Sequence, residues 1–186
     1  MKCVLIIGAI VLLTVVSFAQ DRAKLERMQE SLKDDVPRIL CLDDRVATGG
    51  QPTEGAYAKL AALGYRAVLN LRTAQEGVDL DREKQLVEKA GMRYISIPVV
   101  GSAPKPEQAD EFIEAAKKPA NQPMLIHCGS ANRVGAFWMI YRVVQQGWDE
   151  QLALDEAIKI GLRSPELKSF AHVYIAAHKP KQSTSN

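Results

Sequence analysis

The first regular signal along the chain is a three-to-four spacing of apolar residues, Leu25, Met28 and Leu32, set among charges in residues 21–36. It marks an amphipathic helix or a partly ordered lead-in. Pro37 ends it. The stretch "RILCLDDRVATGGQP" then reads as two short strands about an Asp43-Asp44 turn, closed by Gly49-Gly50. Residues 53–63 return to helical spacing, with Tyr57, Leu60 and Ala61 on one face and Gly64 as the stop. "RAVLNL" (66–71) is a buried strand, 72–79 a polar loop, and 80–90 a helix stopped by Gly91. "YISIPVV" (94–100) is the next strand and "GSAPKP" a loop, after which Pro106 suits the first turn of a helix running to about 118.

Met124-Leu125-Ile126 is an apolar run that ends in His127 and Cys128, and Met124 to His127 reads as a central strand buried on both faces. Three helical segments follow, near 133–146, 149–160 and 165–178, separated by Gly147 and Gly161. Asp149 and Ser164 are candidate N-caps, and Pro165 takes the first helical position. Strands alternate with helices until helices take over. The order predicts a single α/β domain with a mostly parallel central sheet and helices on both faces.

Both ends of the chain change this picture. Lys2, the apolar residues from Val4 to Val16 and the small residues around Ala19 form a secretory signal pattern with cleavage near Ala19. The run is short for a membrane span, which needs about 20 residues. The expected division is a signal peptide over 1–19, a helical lead-in over 20–36, the domain over 37–179 and a disordered polar tail over 180–186. The mature chain is expected in a periplasm or secreted, with no stable membrane insertion.

Composition adds little. The 186 residues, 47% hydrophobic and 25% charged, suit one globular domain. A formal net charge of +2 without basic–aromatic runs gives no reason to expect nucleic acid as a partner. After cleavage Cys41 and Cys128 remain; they can pair in an oxidising space, but a buried Cys41 and a free Cys128 is the favoured reading. His172 and His178 have no partners in ligand spacing, so no metal or other cofactor is implied. Phe137, Trp138 and Tyr141 read as core.

The candidate chemistry is concentrated in "MLIHCGSANRVGAFW" (124–138). A buried strand delivers Cys128 to a short loop at a helix N-terminus, where free backbone N–H groups and the helix dipole favour negative charge. Gly129, Ser130, Ala131 and Asn132 are small or polar and let the backbone approach an anion. Arg133 brings planar paired donors suited to phosphate or sulfate. Arg72, at the end of another strand on the same sheet edge, is a possible second anion contact or half of a surface salt bridge.

"HCGSANRVG" resembles the signature of cysteine-dependent phosphatases of the dual-specificity type. "RVATGGQPTEGAYAKLAALGYRAVLNLR", "AGMRYISIPV" and "GWDEQLALDEAIKIGLR" look like successive segments of the bacterial phosphatase-like family also described as the beta-lactamase-hydrolase-like domain. The resemblance covers about residues 38–178 and implies a cysteine-phosphatase fold, with a phosphorylated small molecule or protein as substrate. It would make Cys128 the nucleophile that forms a phosphocysteine and Arg133 the phosphate clamp. His127 would orient and help acidify Cys128, and Gln51 would stand near the site.

The chain departs from that pattern in several places. Four residues separate Cys128 from Arg133, one fewer than is usual in tyrosine and dual-specificity phosphatases. Ala131 stands where a mid-loop glycine is common, and Val134 where a hydroxyl residue usually follows the arginine. The short loop also resembles rhodanese-type sulfurtransferases, which leaves a persulfide carrier with a sulfur donor or acceptor as an alternative. The resembling phosphatases take an acidic proton donor from the loop here occupied by "GSAPKP", which has none. Glu107, Asp110, Glu76, Asp79 and Asp81 are the candidates to replace it. A non-catalytic anion- or partner-binding module is the third reading.

Overall fold

The computed structural model describes residues 20–178. The expected signal segment and the tail at 180–186 lie outside the described residues. Helix α1 (20–32) is followed by β1 (Leu40–Cys41), β2 (Val46–Gly49), α2 (Ala56–Ala62), β3 (Ala67–Asn70), α3 (Leu80–Lys89), β4 (Arg93–Ser96) and α4 (Pro106–Lys117). Next come β5 (Met124–His127), α5 (Asn132–Ile140), a π-helical turn (Tyr141–Gln145), α6 (Glu150–Ile160) and α7 (Pro165–His178). The strands form one sheet in the order β1-β2-β5-β3-β4. β1 is antiparallel to β2, and the other neighbours are parallel.

The strands' period of two distributes the core between the two faces. Val46, Ala67, Leu69, Met124 and Ile126 pack under α4 to α7 with Phe112, Phe137 and Trp138. Ala47, Val68 and Leu125 pack on the opposite face with Leu32, Val36, Tyr57, Leu60 and Val87. Leu32 and Val36 are fully buried, so the lead-in is an integral part of the domain. Cys41 packs with the second group and Cys128 with the first; both thiols are free.

β5 is central, and its register sets the working edge of the molecule. Gly49, His127, Asn70 and Ser96 lie side by side across the four parallel strands, each the last residue of its strand. The chain leaves all four at one edge, the place where parallel sheets gather ligands. β4 is shorter than the expected 94–100. Pro98 has no N–H to extend the ladder, and the Val99 carbonyl is taken by a side chain described below.

The helix starts follow the sequence. Asp149 Oδ1 accepts from Gln151 N and Leu152 N at 2.9 and 3.1 Å, and Ser164 Oγ accepts from Leu167 N at 3.3 Å. Gly135 lets α5 approach α6 closely: a Cβ there would stand 2.7 Å from the Ala157 carbonyl oxygen and 2.9 Å from Leu162 Cβ.

Candidate active site

Cys128 follows the last residue of β5, and α5 begins four residues later. The intervening loop is pinned from two sides. On one side Cys128 N donates to the Gly49 carbonyl at 3.4 Å, and Gln51 N donates to the Gly129 carbonyl at 3.4 Å. Gly50 bridges to Ser130 there, and a Cβ on Gly50 would come within 3.2 Å of the Gly129 oxygen. On the other side Asn132 Oδ1 accepts from Arg163 N at 2.9 Å and Ser164 N at 3.2 Å. Arg163 Nη2 donates to Ser130 Oγ at 2.6 Å.

Between these anchors Ala131 adopts φ 62° and ψ 3°, the left-handed region that suits glycine better. Its methyl is fully buried against Gly161, where an added Cβ would lie 3.1 Å away. Gly161, at φ 146°, thus makes room for a side chain where the mid-loop residue could have been glycine.

Arg133, in the first turn of α5, is held over the loop. Its Nη1 donates to the Leu71 and Val99 carbonyls at 3.0 and 2.8 Å, which ties together the chain leaving β3 and β4. Its two Nη atoms grip Glu76 at 2.6 and 2.7 Å, a bidentate pair. Burial works against the charge on Arg133, but Glu76 and the neighbouring Cys128 outweigh it and raise its pKa. Nε and the second hydrogen of Nη2 form the guanidinium edge left for an oxyanion. Glu76 is half of a small cluster. It also accepts from Arg72 Nε at 3.1 Å and Thr73 N at 2.8 Å. Partial burial would raise its pKa, but Arg133, the Thr73 N–H and Arg72 bring it down to about 2.

Beneath the loop, the fully buried His127 ring sits 3.0 Å from Glu83 Oε1, but is not aligned for a hydrogen bond. Neither ring nitrogen bonds Cys128 or any other described residue. Glu83, on α3, is a buried hub. It accepts from Tyr57 OH, Asn70 Nδ2, Tyr94 OH at 3.0 Å and Gln51 Nε2 at 3.1 Å. Burial alone would raise its pKa; His127, Tyr57 and Gln51 hold it instead at about 2.

A cavity of about 730 Å³ opens over the loop. Cys128, Ser130, Asn132 and Arg133 line it, together with Thr73, Gln75 and Glu76, residues 100–102 after β4, and Ser164, Glu166 and Leu167 at the start of α7. The cysteine is only 1% exposed, so a ligand meets its sulfur at the bottom of a depression. Four of the residues expected at the site therefore share one cavity. Gly129 and Ala131 shape the loop without lining it.

Two expectations need correction. His127 is enclosed under the loop and touches no substrate space, because its strand position points it at the α3 face. Of the two readings of Arg72, the salt bridge holds and the anion contact does not: its donors are occupied by Glu76 and Gln51, and it does not line the cavity.

A family model described as "DSP-PTPase phosphatase fused to NAD+ Kinase" matches residues 19–173. The chain belongs to that family. Among curated relatives, a beta-lactamase hydrolase-like protein of Xylella fastidiosa (strain 9a5c) is 28% identical over 127 residues, 67% of this chain and 28% of the relative. The dual specificity protein phosphatase TpbA of Pseudomonas aeruginosa (strain UCBPP-PA14) is 31% identical over 101 residues, 51% of this chain and 44% of TpbA. This chain thus spans less than half the length of either relative.

Among solved structures, the DUF442 protein of Shewanella putrefaciens CN-32 superposes with a TM-score of 0.68 at 23% identity, covering 81% of this chain and 99% of that one. P. aeruginosa TpbA in complex with pTyr gives a TM-score of 0.58 at 22% identity, over 74% and 82% of the two chains. The family description and the name of TpbA both say phosphatase.

For this DSP-PTPase family member the acid candidates sort differently from expectation. Glu76 is consumed by Arg133 and Arg72. Asp79 caps α3 by accepting from Arg82 N at 2.8 Å. Asp110 accepts from Tyr174 OH and borders a separate depression beside Arg93. Asp81 and Glu107 are exposed helix-start charges that do not line the cavity.

The residues that sequence reasoning underweighted are Glu83, Asn70 and Arg163. Glu83 carried a signal: with Val87 and Ala90 it occupies the inward stripe of α3, where a carboxylate needs buried partners. Asn70 and Arg163 carried none, since their partners lie 13 and 33 residues away.

Proposed function

We propose that this chain is a cysteine-dependent phosphatase that hydrolyses phosphomonoesters through a phosphocysteine. The observation that carries the reading is the shared cavity: the Cys128 sulfur and the Arg133 guanidinium meet at the N-terminus of α5, in a loop fixed before any ligand arrives. A phosphoryl group seated there has backbone N–H groups of residues 129–133 on one side and the free edge of Arg133 on the other. Because Glu76 and two carbonyls hold Arg133 in place, little of its side-chain freedom remains to be lost on binding. Cys128, as thiolate, attacks phosphorus in line with the departing oxygen. Water then attacks the phosphocysteine, the S–P bond breaks, and thiolate and dihydrogen phosphate are regenerated.

Steady-state hydrolysis of p-nitrophenyl phosphate tests this reading. Wild type turns over under reducing conditions, and Cys128→Ser falls to background. Turnover that survives the serine change sinks the mechanism. Intact-mass analysis after rapid acid quench is expected to find a phosphate adduct on wild type only.

We also propose that residues 1–19 direct export and are removed after Ala19. The support is the basic, apolar and small-residue order of that segment. N-terminal sequencing of the protein from its native host is expected to begin at Gln20; an intact Met1 on the recovered protein refutes the cleavage.

A further inference from the structure

An oxygen that leaves phosphorus carries away the electron pair of the broken P–O bond. It leaves as an alkoxide unless a neighbouring acid protonates it, and a positioned acid contributes about 10²–10⁴-fold to the rate. The cavity walls show what this chain offers. Among the described residues, no Asp, His, Tyr or Lys lines the cavity, and its ionisable groups besides Cys128 are Glu76, Glu166 and Arg133.

Glu76 is committed to Arg133 and Arg72, and carries its charge down to about 2. Glu166 stands in the first turn of α7 and accepts from Ser164 Oγ at 2.6 Å. That bond and the free N–H groups of the helix start both favour its ionised form, and its pKa is lowered. Arg133 does not release a proton at neutral pH. The loop after β4 presents Val100, Gly101 and Ser102 to the cavity.

We infer that the site is built for phosphoesters whose leaving oxygen departs without a proton, such as phenolic monoesters, and that it discriminates against esters of alkanols. The inference rests on the phosphatase reading above. The step balances without a protein acid. The Cys128 thiolate forms the S–P bond as the P–O(aryl) bond breaks, and the phenoxide departs with the electron pair and takes a proton from solvent. A phenol ionises near pH 10, whereas an alkanol is a far weaker acid. The unassisted path is therefore open to the first and costly for the second. The wall chemistry agrees: Val100, 52% exposed at the rim, offers an apolar surface to an aryl ring.

The test compares kcat/KM for phenyl phosphate, a series of ring-substituted phenyl phosphates, and benzyl phosphate, with Cys128→Ser as the blank. Benzyl phosphate keeps the ring and the single phosphate but leaves as an alkoxide. kcat/KM is expected to fall steadily as the phenol becomes less acidic, and benzyl phosphate to react about 10²-fold or more slowly than phenyl phosphate, the share an acid would have supplied. A smaller gap, or a flat series, overturns the inference while leaving the phosphatase reading intact. If no member shows turnover that depends on Cys128, the phosphatase reading itself fails.

Discussion

The cavity side and the buried side of the Cys128 loop are each organised by one glutamate, and the two work differently. Glu76 faces the cavity with 28% of its side chain exposed and holds a cation, Arg133, whose remaining edge is free for a ligand. Glu83 is 6% exposed and holds four neutral donors, Tyr57, Asn70, Tyr94 and Gln51, from three elements and the β2–α2 segment, with the His127 ring 3.0 Å away. Both carboxylates are kept at about 2 against the pull of burial. On one side the charge orients a working side chain. On the other it fastens the strand ends that deliver the loop. A buried carboxylate with four aligned donors belongs to the scaffold, whereas one shared between two arginines at a cavity wall belongs to binding.

The contrast predicts separate failures. Glu83→Ala leaves Tyr57 and Asn70 buried without their acceptor and removes the carboxylate beside His127. It should cost about 3–5 kcal/mol, by analogy with removal of one partner of a buried pair. Chemical denaturation measures it, and a loss under about 1 kcal/mol, the range of an ordinary exposed pair, would remove the distinction between the two sides. Arg133→Ala should lower kcat/KM by about 10²–10³-fold, the usual cost of one transition-state donor, and abolish protection by inorganic phosphate. Its melting temperature should move less than that of Glu83→Ala.

Gly135→Ala probes the packing behind the loop. With its Cβ directed at the Ala157 carbonyl, the change should destabilise by about 1–3 kcal/mol. A melting point equal to wild type would show that α5 and α6 can separate freely. Glu76→Gln should have the smallest effect on stability, about 1 kcal/mol or less, with a raised KM for aryl phosphates because Arg133 is no longer fixed. Acid titration sharpens the pair. Both glutamates ionise more readily folded than unfolded, so their stabilisation is complete above about 4.5 and lost as pH falls toward about 2. The melting temperature of Glu76→Gln should therefore drop less than that of wild type across that window.

The local elements were largely legible in the sequence. Met124 to His127 was readable as a central strand because four consecutive apolar or aromatic residues must be covered on both faces, and all four are buried. Asp149, Ser164, Pro106 and Pro165 marked helix starts through chemistry that acts within a turn. The expected strand at 94–100 failed at Pro98 and Val99, where a missing N–H and the claim of Arg133 on a carbonyl override the apolar pattern. The lead-in's packing was not legible either, because Leu32 and Val36 are buried by residues that follow much later in the chain.

Local signals are enough to put a cysteine at a strand end before a short loop and an arginine at a helix start. They also show that the loop after β4 carries no acid. Long-range packing alone sets which carboxylates stand beside Arg133 and His127, encloses His127, puts Arg72 behind Glu76, and makes the start of α7 a wall of the cavity. Those outcomes depend on strand register and helix approach, which bring together groups far apart in the chain, such as Glu76 and Arg133 at a separation of 57 residues and Leu71 and Arg133 at 62. No spacing along the chain encodes a contact of that kind.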